Sequence, residues 1–428
     1  MHTCHGDTSE HRSAALGEGR VCLCPSAVID TRVATEEDWP GLCDAFSRTF
    51  GMTLTAQDRQ DRRSIVDLAR FRIAYDSREI VGIVGSYAFE VTLPGGNSLP
   101  MAGITWVSTA ATHRRQGIVS RLIAETHQAI VDRGEPIANL MASAGGIYER
   151  FGYGVATRQR VARVSTDQAQ LRDEFRPQHG AVRFMSDDEA CDEIPRLWDR
   201  YRRTRAGEVS RSAELHAMFL TTRSHADGGA SSTSYLRHAD GYASYRIAAR
   251  WTDGWPEHEL TVLELVALTT NAHAALWHTL LGVDLVKEVS VARMPEDDPL
   301  PYLLTDYRAV RTTAVNDGVW VNALDPARCF AGRAYQTEDR FVVETHDANG
   351  ATSRFAIEGG PDGGSCSRVR TRPDMTMTSA ALSALLYGGV RPSLLAAGRR
   401  ITARDDATLR RADLFFVWPV APLCQTPY

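Results

Sequence analysis

Met101-Ala-Gly-Ile-Thr-Trp-Val-Ser-Thr-Ala-Ala-Thr-His-Arg-Arg-Gln-Gly-Ile-Val119 is the stretch around which the rest of the chain is organised. Its first half alternates as a buried strand, with Ile104, Trp106 and Ser108 on one face and Val107 and Thr109 on the other. Arg114-Arg115-Gln116-Gly117 follows. A helix is predicted to open there, with inward positions at Ile118, Val119, Leu122, Ile123, Thr126 and Ile130. A strand, a basic Gly-containing loop and a helix N-terminus in this order suit a phosphate. The first-turn N–H groups have no intrahelical partner and lie at the positive end of the helix dipole. Two guanidinium groups add charge, and Gly117 admits a close backbone approach. Taken alone, Arg114 and Arg115 also read as a solvated helix start; the strand before them favours the phosphate reading.

Upstream, a strand is expected to begin near Val28, and Thr35 with Glu36, Glu37 and Asp38 marks a helix start. Phe71–Asp76 and Ile80–Glu90 form a predicted hairpin, and Pro94-Gly95-Gly96-Asn97 is a turn. Downstream, Gly134-Glu135-Pro136 breaks the chain before a buried strand at 137–143, and a strand to about Val164 closes the first domain. Residues 166–315 repeat this order: a helix at 194–203, strands at 235–237, 242–248 and 260–267, a helix at 272–282 and a strand at 286–291. Thr269-Thr270-Asn271 stands where the Arg-Arg-x-Gly loop would be, so this is read as a degenerate copy without a cofactor loop. From 316 onward strands are followed by helices, the pattern of a separate α+β domain. Gly359-Gly360-Pro361-Asp362-Gly363-Gly364 is a turn there, since no strand–loop–helix context surrounds it. The expected organisation is a flexible extension over 1–27 and domains over 28–165, 166–315 and 316–428.

Composition narrows the class. The 428 residues suit two to four domains, with 43% hydrophobic and 24% charged residues as in ordinary globular proteins. A net charge of −5 gives no basis for nucleic-acid binding or a polybasic membrane surface. Lys287 is the one lysine among 48 basic residues, a bias read as that of a GC-rich genome. Eight scattered cysteines with no Cys-x-x-Cys predict buried reduced thiols rather than disulfides or zinc. His2, Cys4, His5 and His11 are spaced too irregularly for a metal site, and no metal is expected. There is no run of 18 apolar residues and no apolar core at the N-terminus, so neither a membrane span nor a signal peptide is expected, and a cytoplasmic protein is. The other end is unusual: no charged side chain follows Asp413, and Pro419, Pro422 and Pro427 punctuate an apolar tail ending at Tyr428. Such a tail is built to dock, with its α-carboxylate inside the protein or at a pocket.

The strand, Arg114-x-x-Gly117 and helix together resemble the GNAT (GCN5-related N-acetyltransferase) superfamily, whose loop pattern Arg/Gln-x-x-Gly-x-Gly/Ala is departed from at Val119. Thr-Glu-Glu-Asp-Trp-Pro-Gly at 35–41, Thr-His-Arg-Arg at 112–115, Gly-Gly-Ile-Tyr-Glu-Arg-Phe-Gly-Tyr-Gly at 145–154, Ala-His-Ala-Ala-Leu-Trp at 272–277 and Asp-Pro-Leu-Pro-Tyr-Leu-Leu-Thr-Asp at 298–306 resemble the Eis (enhanced intracellular survival) acetyltransferases. The resemblance implies an α+β chain of two tandem GNAT-like domains, each a mixed sheet with flanking helices, and a C-terminal sterol-carrier-like α+β domain. It implies a homohexamer and multi-site acetylation of amines, aminoglycosides among them, with acetyl-CoA as co-substrate. By resemblance, backbone groups of Val107, Ser108 and Thr109 hold the pantetheine arm. Arg114, Arg115, Gln116, Gly117, Ile118, Val119 and Ser120 hold the pyrophosphate, and Ser143 and Ala144 flank the acetyl end. Tyr148 matches the family's general acid, and the carboxylate of Tyr428 its general base, where the family commonly ends in Phe.

An amine attacking a thioester needs a deprotonated nucleophile, a stabilised oxyanion and a proton for the leaving thiolate. A phenol with a pKa of roughly 10 is a suitable proton source. A carboxylate with an unperturbed pKa near 3.5 is a weak base, so burial or an intervening water is required. Without the resemblance, Tyr148 reads as a core tyrosine, and Tyr153 between two glycines as packing. Trp106 reads as core, or as a wall of the acceptor pocket beside Trp39, Phe46 and Phe50. Glu36, Asp38 and Asp44 read as helix-surface charges, or as an attraction for a cationic acceptor. His113 lies in the phosphate loop and is not read as a base; His273 and His278 are read as structural. The leading expectation is an acetyl-CoA-dependent N-acetyltransferase of cationic small molecules, with lysine side chains as further acceptors. The alternative is a non-catalytic acyl-CoA or lipid-binding module.

Overall fold

The computed structural model describes residues 29–224 and 230–428. The extension over 1–27, its His/Cys group and the strand start at Val28 fall outside the described residues. In the first unit, strands β1 (Asp30–Val33), β2 (Arg72–Asp76), β3 (Glu79–Thr92), β4 (Ser98–Thr109), β5 (Ile137–Met141) and β6 (Gly154–Val155) alternate with helices α1 (Trp39–Phe50), α2 (Ala56–Ile65) and α3 (Ile118–Asp132). The second unit has β7 (Arg158–Ser165), β8 (Arg183–Met185), β9 (Ser234–His238), β10 (Gly241–Ala248), a small ribbon of β11 (Trp251–Thr252) and β12 (Trp255–Pro256), β13 (His258–Ala267), β14 (Val286–Met294) and β15 (Val310–Asp317). Its helices are α4 (Asp187–Arg202), α5 (Ala213–Ser224), α6 (Thr270–Leu281) and the short α7 (Leu300–Leu303). The third has β16 (Val319–Ala323), α8 (Pro326–Ala331), β17 (Asp339–His346), β18 (Thr352–Gly360), β19 (Gly363–Arg368), β20 (Met375–Thr378), α9 (Ser379–Ala384), α10 (Pro392–Ala397), β21 (Ile401–Ala403) and α11 (Asp406–Phe416).

The first sheet runs β1-β2-β3-β4-β5-β16-β6 and the second β15-β7-β14-β13-β10-β9-β8. Each contains one parallel pair, β4 with β5 and β13 with β14, joined through α3 and α6 respectively. The third sheet runs β19-β18-β17-β20-β21. The Gly-rich stretch 359–364 closes the β18–β19 hairpin.

Two strands correct the domain boundaries expected from sequence. β7, expected in the first domain, pairs with β14 and β15 in the second sheet. β16, expected in the third domain, pairs with β5 and β6 in the first sheet. The chain leaves the first sheet after β6, builds the second, then returns to fill the gap beside β5. Each strand satisfies its backbone groups where a sheet has an open edge, which local pattern does not reveal.

A second correction concerns Trp106. Its register against β3 shifts between Ile83↔Ser108 and Gly85↔Thr105, and Trp106 takes φ +56°, a conformation rare for a bulky residue. Ile104 therefore packs beneath α3 with Ile118 and Leu122, whereas Trp106 packs on the other face with Phe46 and Phe71. A β-bulge flips the alternation that the strand pattern implies. The core behind Trp106 is continuous from α1 through the first sheet to Phe341, Phe415 and Phe416 of the third unit.

Candidate active site

β4 and β5 register over only three pairs, Met101↔Ile137 to Gly103↔Asn139. Beyond Gly103 the two strands part, while β4 continues along β3 to Thr109. The fork leaves one edge of residues 104–109 without a strand partner, an edge that an extended ligand can pair with. At the end of β4 the loop turns with positive φ at Arg115 (+64°) and Gly117 (+78°). Gly117 is the N-cap of α3 and no side chain caps this end, so the first-turn N–H groups remain available. Successive amides turned inward make a concavity that suits an anion. Arg114 and Arg115 are exposed, with no ion pair among the described residues, while His113 is tied to Asp76 at 3.3 Å and Thr112 at 2.8 Å. These features fit a pyrophosphate at the α3 N-terminus and a pantetheine arm along the fork.

The fork opens into a cavity of about 1260 Å³. Val107, Ser108, Thr109, Arg114, Arg115, Gly117, Ile118, Val119, Ser120, Ser143 and Ala144 line it, as do Phe46, Phe50 and Trp106. Two candidate residues do not. Gln116 is exposed at the outside of the loop. Trp39 stands behind Trp106, with ring centroids 5.9 Å apart, and its outer face carries the Arg63 guanidinium. Trp106 itself is 3% exposed, so it is both core and cavity wall.

Tyr148 and Tyr428 meet in this cavity although 280 residues separate them. Tyr148 joins two 3₁₀ turns after β5, Gly145–Ile147 and Glu149–Phe151, and is 6% exposed. Burial raises its phenol pKa, so it keeps its proton at neutral pH. Tyr153 packs beside it at 6.1 Å and is fully buried, its hydroxyl 2.8 Å from His127, whose pKa burial lowers to about 4. The Tyr428 ring lies against Phe89 at 5.1 Å and over Gly103, where a Cβ would approach it to 2.9 Å. Gly103 is the last paired residue before the fork, so the absence of a side chain there seats the chain terminus at the fork itself.

Several cavity residues escape the sequence reading. Asp58, Asp61 and Arg62 come from α2, whose charged sequence has no apolar stripe to announce a helix. Leu215, Met218 and Phe219 come from α5, and Arg293 from β14, so the second unit supplies part of the wall. Glu36, Asp38 and Asp44 instead pair with Arg63, Arg32 and Arg59 outside the cavity. Glu79, Asp58 and Asp61 are the acids that line it. His273 pairs with Asp298 at 3.2 Å, and among the described residues no cluster of metal-ligating side chains occurs. Of the five described cysteines, all free, Cys43, Cys329 and Cys424 are buried as expected, but Cys191 is exposed and Cys366 half-buried. Among the described residues no helix is long and apolar enough to cross a membrane.

Residues 30–156 match a family model described as an acetyltransferase (GNAT) domain, and residues 207–328 match a second such model. Residues 326–425 match a sterol carrier protein domain. The chain is 34% identical over 393 residues to the N-acetyltransferase Eis of Mycobacterium tuberculosis, covering 89% of this chain and 95% of that protein. It is 30% identical to an uncharacterised N-acetyltransferase of Streptomyces avermitilis over 92% of this chain and 98% of that one. The crystal structure of Eis1 from Mycobacterium abscessus superposes with a TM-score of 0.83 at 28% identity, covering 93% of this chain and all of that one. The chain belongs to the Eis family of GNAT N-acetyltransferases, enzymes that draw on acetyl-CoA.

Proposed function

We propose that this enzyme acetylates amines of cationic small molecules, aminoglycosides among them, at several positions, and lysine side chains as a further acceptor class. The observation that carries the proposal is the single cavity uniting the phosphate loop, the fork, Tyr148, the chain terminus and an aromatic wall with nearby carboxylates. Acetyl-CoA supplies the activated acetyl group as a thioester. Residues 107–109 hold its pantetheine arm, Arg114, Arg115 and Gly117 to Ser120 its pyrophosphate, and Ser143 and Ala144 flank the acetyl end. Tyr148 gives the proton to the departing sulfur, which its raised pKa leaves it able to do. The Tyr428 carboxylate accepts the proton of the amine, through a water or with burial raising its basicity. Asp58 and Asp61 on α2 attract a polycation, Glu79 being paired with Arg48 at 3.3 Å, and Phe46, Phe50 and Trp106 give it an apolar face.

The test is an acetyl-transfer assay against an aminoglycoside panel, with acetyl groups counted by mass. CoA release with more than one acetyl per acceptor is expected; no turnover across a broad amine panel by protein that binds CoA refutes the reading. We propose in addition that the enzyme is a cytoplasmic homohexamer. The exposed aromatics Phe184, Trp251, Trp255, Tyr302 and Tyr307 of the second unit support assembly, and solution mass measurement tests it.

A further inference from the structure

The second unit keeps the forked parallel pair of the first but not its anion loop. β13 and β14 register from His258↔Val286 to Val262↔Val291, after which they part. The helix that follows is closed to an anion, since the Thr269 side chain accepts the Ala272 N–H at 3.1 Å. A cavity of about 450 Å³ remains at this fork, and Val420 and Gln425 of the chain's own tail line it. The Gln425 side chain donates to the Leu265 carbonyl at 3.4 Å and to the Tyr201 hydroxyl at 3.3 Å. Upstream, the Ala421 N–H donates to Asp297 at 2.8 Å and the Leu423 N–H to the Ala206 carbonyl at 3.0 Å.

Two further contacts come from buried ionisable side chains. The Gln425 N–H donates to Glu208 at 3.1 Å, and Arg211 Nε donates to the Thr426 hydroxyl at 2.8 Å. The Arg211 side chain is 1% exposed, stacks on Trp198 at 3.4 Å and pairs with Glu264 at 2.7 Å. Glu264 also accepts from the Tyr242 hydroxyl at 2.5 Å. Arg211, Glu264 and Tyr242 are costly to bury and hold one another in position, whereas Glu208 meets the tail through one carboxyl oxygen while its other oxygen is buried without a partner. Residues 423–426 are buried, while Pro427 and Tyr428 emerge into the active cavity.

We propose that Arg211 and Glu208 are positioning residues for acetyl transfer: the second unit's buried polar groups clamp Gln425 and Thr426 and so set where the Tyr428 carboxylate stands. The inference rests on the reading of that carboxylate as the base. Only two residues, about 7 Å of chain at most, separate the clamp from the terminus. A released clamp therefore transmits its motion almost undiminished, and a displacement of about 1 Å at a reacting group is worth about 100-fold in rate. The degenerate domain thus takes part in catalysis through the tail it holds.

Thr426→Val tests this with little change of shape, because it deletes the oxygen that Arg211 meets; Thr426→Ser keeps that oxygen. Thr426→Val is expected to lower kcat about 10- to 100-fold with the KM for acetyl-CoA within about two-fold, and Thr426→Ser to recover to within about three-fold of the parent. A Thr426→Val enzyme with parental kcat overturns the clamp, as does a loss that Thr426→Ser shares or that raises the KM for acetyl-CoA in step. The comparison is the chain extended by one glycine after Tyr428. Full turnover by the extended chain refutes the carboxylate as base, and the clamp with it. Lost turnover there with parental turnover in Thr426→Val refutes the clamp alone.

Discussion

Tyr148→Phe isolates one proton. The ring is 6% exposed and packs edge-on to Tyr153 at 6.1 Å, in a cluster with Ile118 and Leu140. Phenylalanine refills that volume, so the folding cost is expected to stay below about 1.5 kcal/mol. The phosphate loop and the fork are untouched, so the KM for acetyl-CoA should be unchanged. What disappears is the proposed proton donor to the leaving sulfur. General acids contribute about 100- to 10,000-fold, which is roughly 3–5 kcal/mol at about 1.4 kcal/mol per decade. The assay is steady-state release of CoA thiol with a fixed polyamine acceptor, with kcat and the KM for acetyl-CoA fitted separately. Because burial raises the Tyr148 pKa above 10, the parent enzyme should show no loss of kcat from this group up to about pH 9. A Tyr148→Phe enzyme with kcat within about three-fold of the parent refutes the assignment, since a uniform binding role shows in KM instead.

Removing both loop charges, Arg114→Ala with Arg115→Ala, should raise the KM for acetyl-CoA about 10- to 100-fold, flatten its salt dependence and leave kcat nearly unchanged; isothermal titration of CoA at two salt concentrations reads this. Trp106→Ala empties a position enclosed by Phe46, Phe71 and Tyr87, and should cost about 3–5 kcal/mol by denaturant unfolding as well as opening the acceptor wall. Burial pushes the Glu208 pKa up from 4.5 to about 8, against the pull of Arg211 and Arg205 and with the push of Glu264; the Tyr201 phenol and Cys424 thiol also face it. The folded state then binds the proton that the unfolded state releases, so stability falls as pH rises from about 4.5 through about 8. Glu208→Gln should remove that slope, and parallel melting-temperature curves for parent and variant between pH 5 and about 9 refute the argument.

Much of the site was legible because its parts are contiguous. The loop's anion-binding form depends on φ at Arg115 and Gly117 and on an uncapped helix end, all within four residues. The place of Tyr148 on the cavity wall just past β5 was legible from the motif at 145–154. The side of the sheet on which Trp106 stands was not, because a bulge needs a partner strand to define it. Nor were the contributions of α2 and α5, one lacking an apolar stripe and the other belonging to a different unit. Trp39 was drawn toward the pocket by its neighbours in sequence, but the helix turns it behind Trp106.

The sequence by itself determined the three kinds of unit, the basic loop that opens α3 and the apolar tail, since each is written in local periodicity, turn chemistry or a run of charge-free residues. Tertiary structure alone decided how they are joined. β7 and β16 crossed between sheets because hydrogen-bond edges, not chain order, choose their partners. The tail reached the fork at Gly103 because Glu208 and Arg211 hold it from a unit more than 200 residues away, and a contact at that separation leaves no periodic trace in the chain.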